Sequence, residues 1–259
     1  MKNLFAFHGV DHKSGVTMIT QSVAELLAAQ NSKLNILFMA LNGRKSDSYL
    51  KGGIRTIDNF KLQMESKLLI SKELARDCRY KGNLYVLGGL ENEQEERYYF
   101  PEAARYLLEA AASSFDLVLV DTGSCLDSGL ALGGLLSAAK RYLILTQQES
   151  NLSRYEQLKP LYEKVQISFE GWIVNRYIEE DPHTLKYVGE RLFLDKEKLA
   201  RVQLCSWGRQ AEREHKTLLD FRTDCYEEDI SNLASTLAQE AGLPPIKRQR
   251  KSKLWKNFI

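Results

Sequence analysis

Nowhere in this 259-residue chain do apolar residues run on for the roughly 18 positions that a membrane-crossing helix needs. The N-terminal MKNLFAFHG carries one Lys and its apolar stretch stops within a few residues, which predicts a first strand and not a secretory leader. Cysteine is sparse. Cys78, Cys125, Cys205 and Cys225 are scattered without C-x-x-C spacing, which argues against a disulfide framework or a zinc site and for a reducing cytosol. Acid is missing from one place: the last thirteen residues, Lys247 to Ile259, hold six Lys/Arg and no Asp or Glu. The net charge of +2 less those six leaves the preceding body at −4, which argues against a broad nucleic-acid surface. No internal repeat and no long linker divides the chain. With 44% hydrophobic and 27% charged residues, the expectation is one soluble domain over 1–245 followed by a basic tail, 246–259.

What is present begins with FAFHGVDHKSGVTMIT, Phe5 to Thr20. A short apolar strand leads through a turn holding Gly9 and Gly15 into a helix beginning near Thr17. Glycine lets a backbone close around an anion, and the first N–H groups of a helix point at it. The pattern G-x-x-x-x-G-K-[ST] is damaged, however: Gly15-Val16-Thr17 has no Lys, and Gly9 and Gly15 are six apart. A surviving phosphate site and a relic turn are both open on these residues alone.

Periodicity then predicts alternation. Ile19, Val23, Leu26 and Leu27 make a helical stripe ending near Asn31, and KLNILFMAL (Lys33 to Leu41) is a buried strand, giving a βαβ unit. A helix is expected around Leu68 to Cys78, and a strand at NLYVLGG (Asn83 to Gly89). Pro101 opens a helix through Ala112. FDLVLVDTGS (Phe115 to Ser124) is a strand ending in Asp121, the way a Walker B acid is presented beside a nucleotide and its Mg²⁺. Strands follow at Arg141 to Ser150 and Phe169 to Tyr177, with a helix capped by Ser153 between them and a last helix from about Asp229 to Ala241. Six or seven strands alternating with helices predict an α/β fold, a doubly wound and mostly parallel sheet with helices on both faces. Thr17, Asn42, Asp121, Thr146 and Asn175 should line its carboxyl edge.

In this order the landmarks Gly9–Thr17, KLNILFMAL, FDLVLVDTGS and GWIVNRY resemble the MinD/ParA group of deviant-Walker P-loop ATPases over nearly the whole chain. Within that group, NLYVLGG and DTGSCLDSGLAL are most similar to the pilus-assembly localisation proteins called TadZ or CpaE, without their receiver-like domain. The resemblance implies a cofactor, ATP or ADP with Mg²⁺, and no metal cluster. It implies that Gly9, Ser14, Gly15 and Val16 border the phosphates, with Thr17 facing Mg²⁺ and Asp121 as the Walker B acid. Gly123 would stand in the second switch loop, and Asn175 at the adenine edge or, alternatively, as a strand cap. Lys13 would be the lysine that reaches across a dimer, with Asp11 and His12 as rivals for that place and a solvated loop lysine as the plain alternative. Lys13 and Asp121 are thus the candidate catalytic groups.

Two departures matter. Val16, or Met18 if the alignment is shifted, stands where the group has its phosphate lysine, and Phe38-Met39-Ala40-Leu41-Asn42-Gly43 lacks the water-positioning carboxylate. Phosphoryl transfer depends on fixed charge around the phosphate oxygens, so slow or absent hydrolysis is expected. His8 and His12 flank the loop without a further ligand at metal spacing, and Cys125 lacks a partner for a cluster. In the tail, Leu254, Trp255, Phe258 and Ile259 recur at helical spacing opposite Lys251, Lys253 and Lys256, as in an interfacial helix. The alternative is a tail that is disordered or packs on its own body. The expectations are therefore a homodimer docked on the anionic inner face of the cell membrane, from the cytoplasmic side. It would serve pilus or secretion-system components, nucleic acid being a less favoured partner. An active Mg-ATPase that cycles on membrane or DNA is the rival reading.

Overall fold

The computed structural model describes residues 1–221 and 223–245. In chain order its elements are β1 (Leu4–Gly9), α1 (Val16–Gln30), β2 (Ile36–Ala40), β3 (Arg55–Thr56), α2 (Lys61–Glu65), α3 (Ser71–Asp77), β4 (Arg79–Lys81), β5 (Leu84–Gly88) and α4 (Pro101–Ser114). They continue with β6 (Leu117–Asp121), α5 (Gly129–Ser137), β7 (Lys140–Thr146), α6 (Glu149–Lys164), β8 (Gly171–Tyr177), α7 (Leu185–Leu192), β9 (Leu199–Gln203), α8 (Gly208–Glu214) and α9 (Asp224–Glu240). The strands form one nine-stranded sheet in the order β3-β5-β2-β6-β1-β7-β8-β9, parallel throughout except that β4 adds antiparallel to β5.

β1 is buried along its whole length because both faces of the sheet are covered. Alternation along it divides the core. Leu4 and Ala6 face one apolar layer with Leu107 of α4, Leu130 of α5 and Leu152 of α6. Phe5 and Phe7 face the other, with Ile19, Val23 and Leu27 of α1 and Ile230 and Ala234 of α9. Strands read as apolar runs are thus the ones with a helix on each side. The expected doubly wound α/β sheet is observed.

Several boundaries differ from the sequence reading. Ser153 is not a cap: α6 begins at Glu149, and Ser153 sits inside it, its hydroxyl reaching back to Glu149 Oε1 at 3.3 Å. Two residues earlier, Asn151 Oδ1 accepts from the Thr146 amide, which draws the start of the helix up against β7. Helix α3 starts at Ser71, and Leu68 is exposed in the turn before it. Helix α9 starts five residues earlier than expected, at Asp224. The short strands β3 and β4 and the half-buried β9 were not anticipated, since none is apolar enough to announce itself. Among the described residues no helix is long and apolar enough to cross a membrane. The tail residues Lys251, Lys253, Leu254, Trp255, Lys256, Phe258 and Ile259 lie outside the described residues.

Candidate functional site

β1 is the strand from which the sheet runs out both ways, to β6 on one side and β7 on the other, and its carboxyl end is where a ligand crevice opens in such a sheet. The exit is stitched down: Gly9 N–H donates to Gly123 C=O at 2.7 Å, and Val10 N–H to Ile144 C=O at 2.9 Å. The chain then turns through Lys13 at φ 60° and Gly15 at φ 93°. Gly15 is required twice over. Its φ is in the left-handed region, and a Cβ there would sit 2.2 Å from Asn175 Nδ2. No side chain caps α1, and its first backbone bond within the described residues is Ile19 N–H to Gly15 C=O. The N–H groups of Gly15, Val16, Thr17 and Met18 therefore have no acceptor among the described residues, and they stand at the positive end of a fifteen-residue helix.

Asp121 ends β6 beside this turn, fully buried. Three donors converge on it: Thr17 Oγ1 at 2.5 Å and Asn42 Nδ2 at 2.8 Å on one oxygen, and Gly123 N–H at 2.8 Å on the other. Burial pushes its carboxyl above the ordinary carboxylate range, and the three hydrogen bonds pull against that shift. Asn42 stands where the family pattern implied an acid. It holds Asp121, accepts from the Arg44 amide at 3.0 Å, and is bridged to the Ser46 hydroxyl. Its position just past β2 was the available signal, but its bond to Asp121 joins residues 79 apart in sequence and is tertiary.

Thr17, Gly15, Asn42 and Asp121 border a cavity of about 870 Å³, walled on one side by the irregular segment 41–54. Its cations fall into two groups. Arg44 lies 3.9 Å from Glu93, and Lys45 lies 3.2 Å from Glu91 and 3.4 Å from Asp47. Lys13, Arg176 and Arg209 have no acidic partner among the described residues. Val16 offers no charge: it is buried in the apolar layer with Met18 and Ile19.

The other predicted residues are placed as follows. Asn175 donates to the Ser14 carbonyl at 2.7 Å and so braces the turn from β8. Ser14 Oγ is buried without a partner among the described residues. Gly123 lies at φ 61° against Asn42. Thr146 stays outside the cavity, its amide bonded to Asn151 Oδ1 at 2.9 Å. His8 lies beneath the loop, fully buried, with Nδ1 3.0 Å from Thr122 Oγ1; burial lowers its pKa to about 4, so the ring is neutral. His12 Nδ1 is 3.2 Å from Ser124 Oγ, and Cys125 is exposed on the cavity rim. Among the described residues no group of three His, Cys, Asp or Glu side chains is arranged to hold a metal ion.

These residues fit a nucleotide with Mg²⁺ in part. Because Thr17 gives its proton to Asp121, its oxygen lone pairs are left for a cation, and the unclaimed N–H groups suit phosphate oxygens. The ammonium that usually completes such a seat is absent at position 16.

No protein-family model matches the chain, and no curated protein does. Solved structures do. A ParA family ATPase from Chlorobium tepidum TLS superposes with a TM-score of 0.79 at 18% identity, covering 90% of this chain and 99% of that one. The septum site-determining protein MinD of Pyrococcus horikoshii OT3, complexed with Mg-ADP, gives 0.73 at 15% identity, with 93% and 98% covered. An McdA–ATP complex from Cyanothece gives 0.68 at 11% identity, with 96% and 100% covered. Identities this low speak for architecture, and the architecture agrees over nearly the whole length of each: the chain has the fold of the ParA and MinD ATPases.

Proposed function

We propose that this protein is a MinD/ParA-like nucleotide-binding positioning or assembly factor that hydrolyses ATP slowly or not at all. The observation that carries the reading is the Thr17–Asp121 pair beside four unclaimed N–H groups at the start of α1. A phosphate seat and a cation seat are kept there while the lysine and the water-positioning acid are gone. Bound Mg²⁺ would draw charge from the phosphate oxygens. The chain's own part is to hold that ion through Thr17, with Asp121 orienting the threonine hydroxyl, and to receive phosphate oxygens on the backbone of residues 15–18. Asn42 itself does not replace the missing acid, since it is committed as a donor to Asp121, and Asp47 further along the segment is paired with Lys45.

The finer reading follows the resemblance to TadZ and CpaE: a homodimer held peripherally at the inner face of the membrane by the 246–259 tail, serving a Tad/Flp-type pilus or secretion machine. Solved relatives with this fold include a MinC:MinD cell division complex and a plasmid partition protein bound to AMPPNP, which support a partner-binding, nucleotide-binding protein of this class. One copy of a short basic amphipathic tail binds a bilayer weakly, so a dimer gains by doubling it.

Phosphate release by the full chain with Mg-ATP, beside Lys13→Ala and Asp121→Ala, tests the hydrolysis claim. Turnover near one per minute that both substitutions abolish overturns it in favour of an active Mg-ATPase. Flotation with anionic liposomes, with and without residues 247–259, tests the membrane claim. Equal binding by both proteins overturns that part.

A further inference from the structure

The cavity that borders the loop is also lined by Arg176 and Arg209. Strand β8 pairs with β9 in regular register up to Asn175, and the ladder then slips between Asn175 and Tyr177. Arg176 is the residue left over in this bulge. It is exposed, and its φ of 53° is a left-handed conformation that a non-glycine residue adopts only at a cost. The residue before it is clamped to the loop through the 2.7 Å bond from Asn175 Nδ2 to Ser14 C=O, with Asn175 packed on Gly15. The bulge thus turns consecutive residues to one purpose: Asn175 braces the loop backbone while Arg176 is released to the cavity in front of it.

Its guanidinium is not spent elsewhere. Arg176 makes no ion pair or hydrogen bond among the described residues, unlike Arg44 and Lys45, which are held by Glu93, Glu91 and Asp47. Its field reaches the cavity: the Tyr49 phenol, raised by burial, is pulled down by Arg176 and pushed up by Glu212 and Asp121. Arg209, in the first turn of α8, lines the same cavity, and Glu212 one turn on forms no ion pair with it. A strained, unpaired arginine beside a phosphate-type turn is a poor arrangement for stability and a good one for an anion, because the planar guanidinium presents paired donors to phosphate oxygens.

We propose that Arg176, assisted by Arg209, supplies the positive charge that position 16 lacks and grips the polyphosphate of a nucleotide seated on the Gly9–Thr17 loop. The inference rests on the nucleotide-binding reading above and adds the residues that make it workable without a loop lysine. Lys13 is the competing cation, since it too is unpaired and lies in the loop itself.

Isothermal titration calorimetry on the full chain separates these cases, with Mg-ADP, Mg-ATP and adenosine as probes. Arg176→Gly is the informative variant, because glycine adopts φ 53° without strain. It is expected to melt at or above the wild-type temperature and to bind Mg-ADP about tenfold or more weakly, with adenosine binding unchanged. Arg176→Lys recovers part of the affinity, Arg209→Ala loses less than Arg176→Gly, and Lys13→Ala loses less still. Wild-type affinity for Mg-ADP in both Arg176→Gly and Arg209→Ala overturns the assignment, as does a loss for adenosine equal to that for Mg-ADP. A wild-type chain that binds none of the three overturns the nucleotide reading itself, and this inference with it.

Discussion

The two halves of the site have been treated differently. On the β6 side, Asp121 is fully buried and satisfied by three donors from α1, the segment after β2 and its own turn. On the loop side, the helix start carries N–H groups and a buried Ser14 hydroxyl that have no partner among the described residues, a strained Lys13, and an uncharged Val16. One half is complete without a ligand and the other is not. A cluster of buried polar groups is retained only if each member is paired, so the β6 side is also part of what holds the carboxyl edge together. The loop side holds no such paired cluster, so the charge there can be altered without stranding a buried partner.

The largest test of that contrast is Asp121→Ala. It strands Thr17 Oγ1, Asn42 Nδ2 and the Gly123 amide in a buried place, so stability should fall by about 2 kcal/mol or more in chemical denaturation, and Mg²⁺-dependent nucleotide binding should vanish. Asp121→Asn removes the unfavourable buried charge and keeps the shape. Its NH2 must then face a donor, either the Gly123 N–H or the Thr17 and Asn42 pair, so the free protein should be less stable than wild type by about 1 kcal/mol, and the Mg²⁺ dependence is lost. A stable Asp121→Ala protein would refute the view of that half as structural.

His8 joins the halves, since it precedes Gly9 and bonds to Thr122. Burial lowers its pKa from 6.5 to about 4. Between those values the unfolded chain binds a proton that the folded one does not, so this contribution is complete above about pH 6.5 and declines as pH falls toward 4. Asp121, whose carboxyl is raised, works in the opposite sense, so the wild type is best compared with His8→Leu. Acidification from pH 7 to 4 should cost the wild type about 3 kcal/mol more than that variant in denaturant titrations. Parallel pH curves would show that His8 is not buried as neutral imidazole.

Restoring a cation sharpens the comparison from the loop side. Val16→Lys should change Mg-ADP affinity little while Arg176 is present and should recover much of the affinity lost in Arg176→Gly, with phosphate release still slow because Asn42 supplies no acid. A tenfold gain in the otherwise wild-type chain would mean that Arg176 does not meet the charge requirement. The smallest effect is expected from Asn175→Ala. It frees the Ser14 carbonyl and should lower stability by about 1 kcal/mol, with faster amide exchange confined to residues 10–18.

Much of the fold was legible because it is written in long apolar runs. β1, β2, β6 and β7 are covered on both faces, so each is continuous in hydrophobicity, and α1 and α4 carry clear stripes or a proline start. β9 and β4 were missed because partly exposed strands need no such run. Ser153 misled because a hydroxyl before an apolar repeat signals a cap only if the chain is not already helical there. Of the site, the glycines and Asp121 could be located from local pattern.

By itself the sequence determined the alternation of strands and helices, the glycine-bearing exit from β1, the acid at the end of β6 and the absence of lysine at 16, since each is a matter of adjacent residues and their periodicity. Only the tertiary structure decided that Asn42 is a donor to Asp121, that Asn175 braces Ser14, and that Arg176 is turned by a bulge into the cavity. These contacts join residues 79 and 161 positions apart, or depend on a one-residue slip in strand pairing. No local propensity encodes them. They exist because a parallel sheet brings the ends of distant strands to one edge.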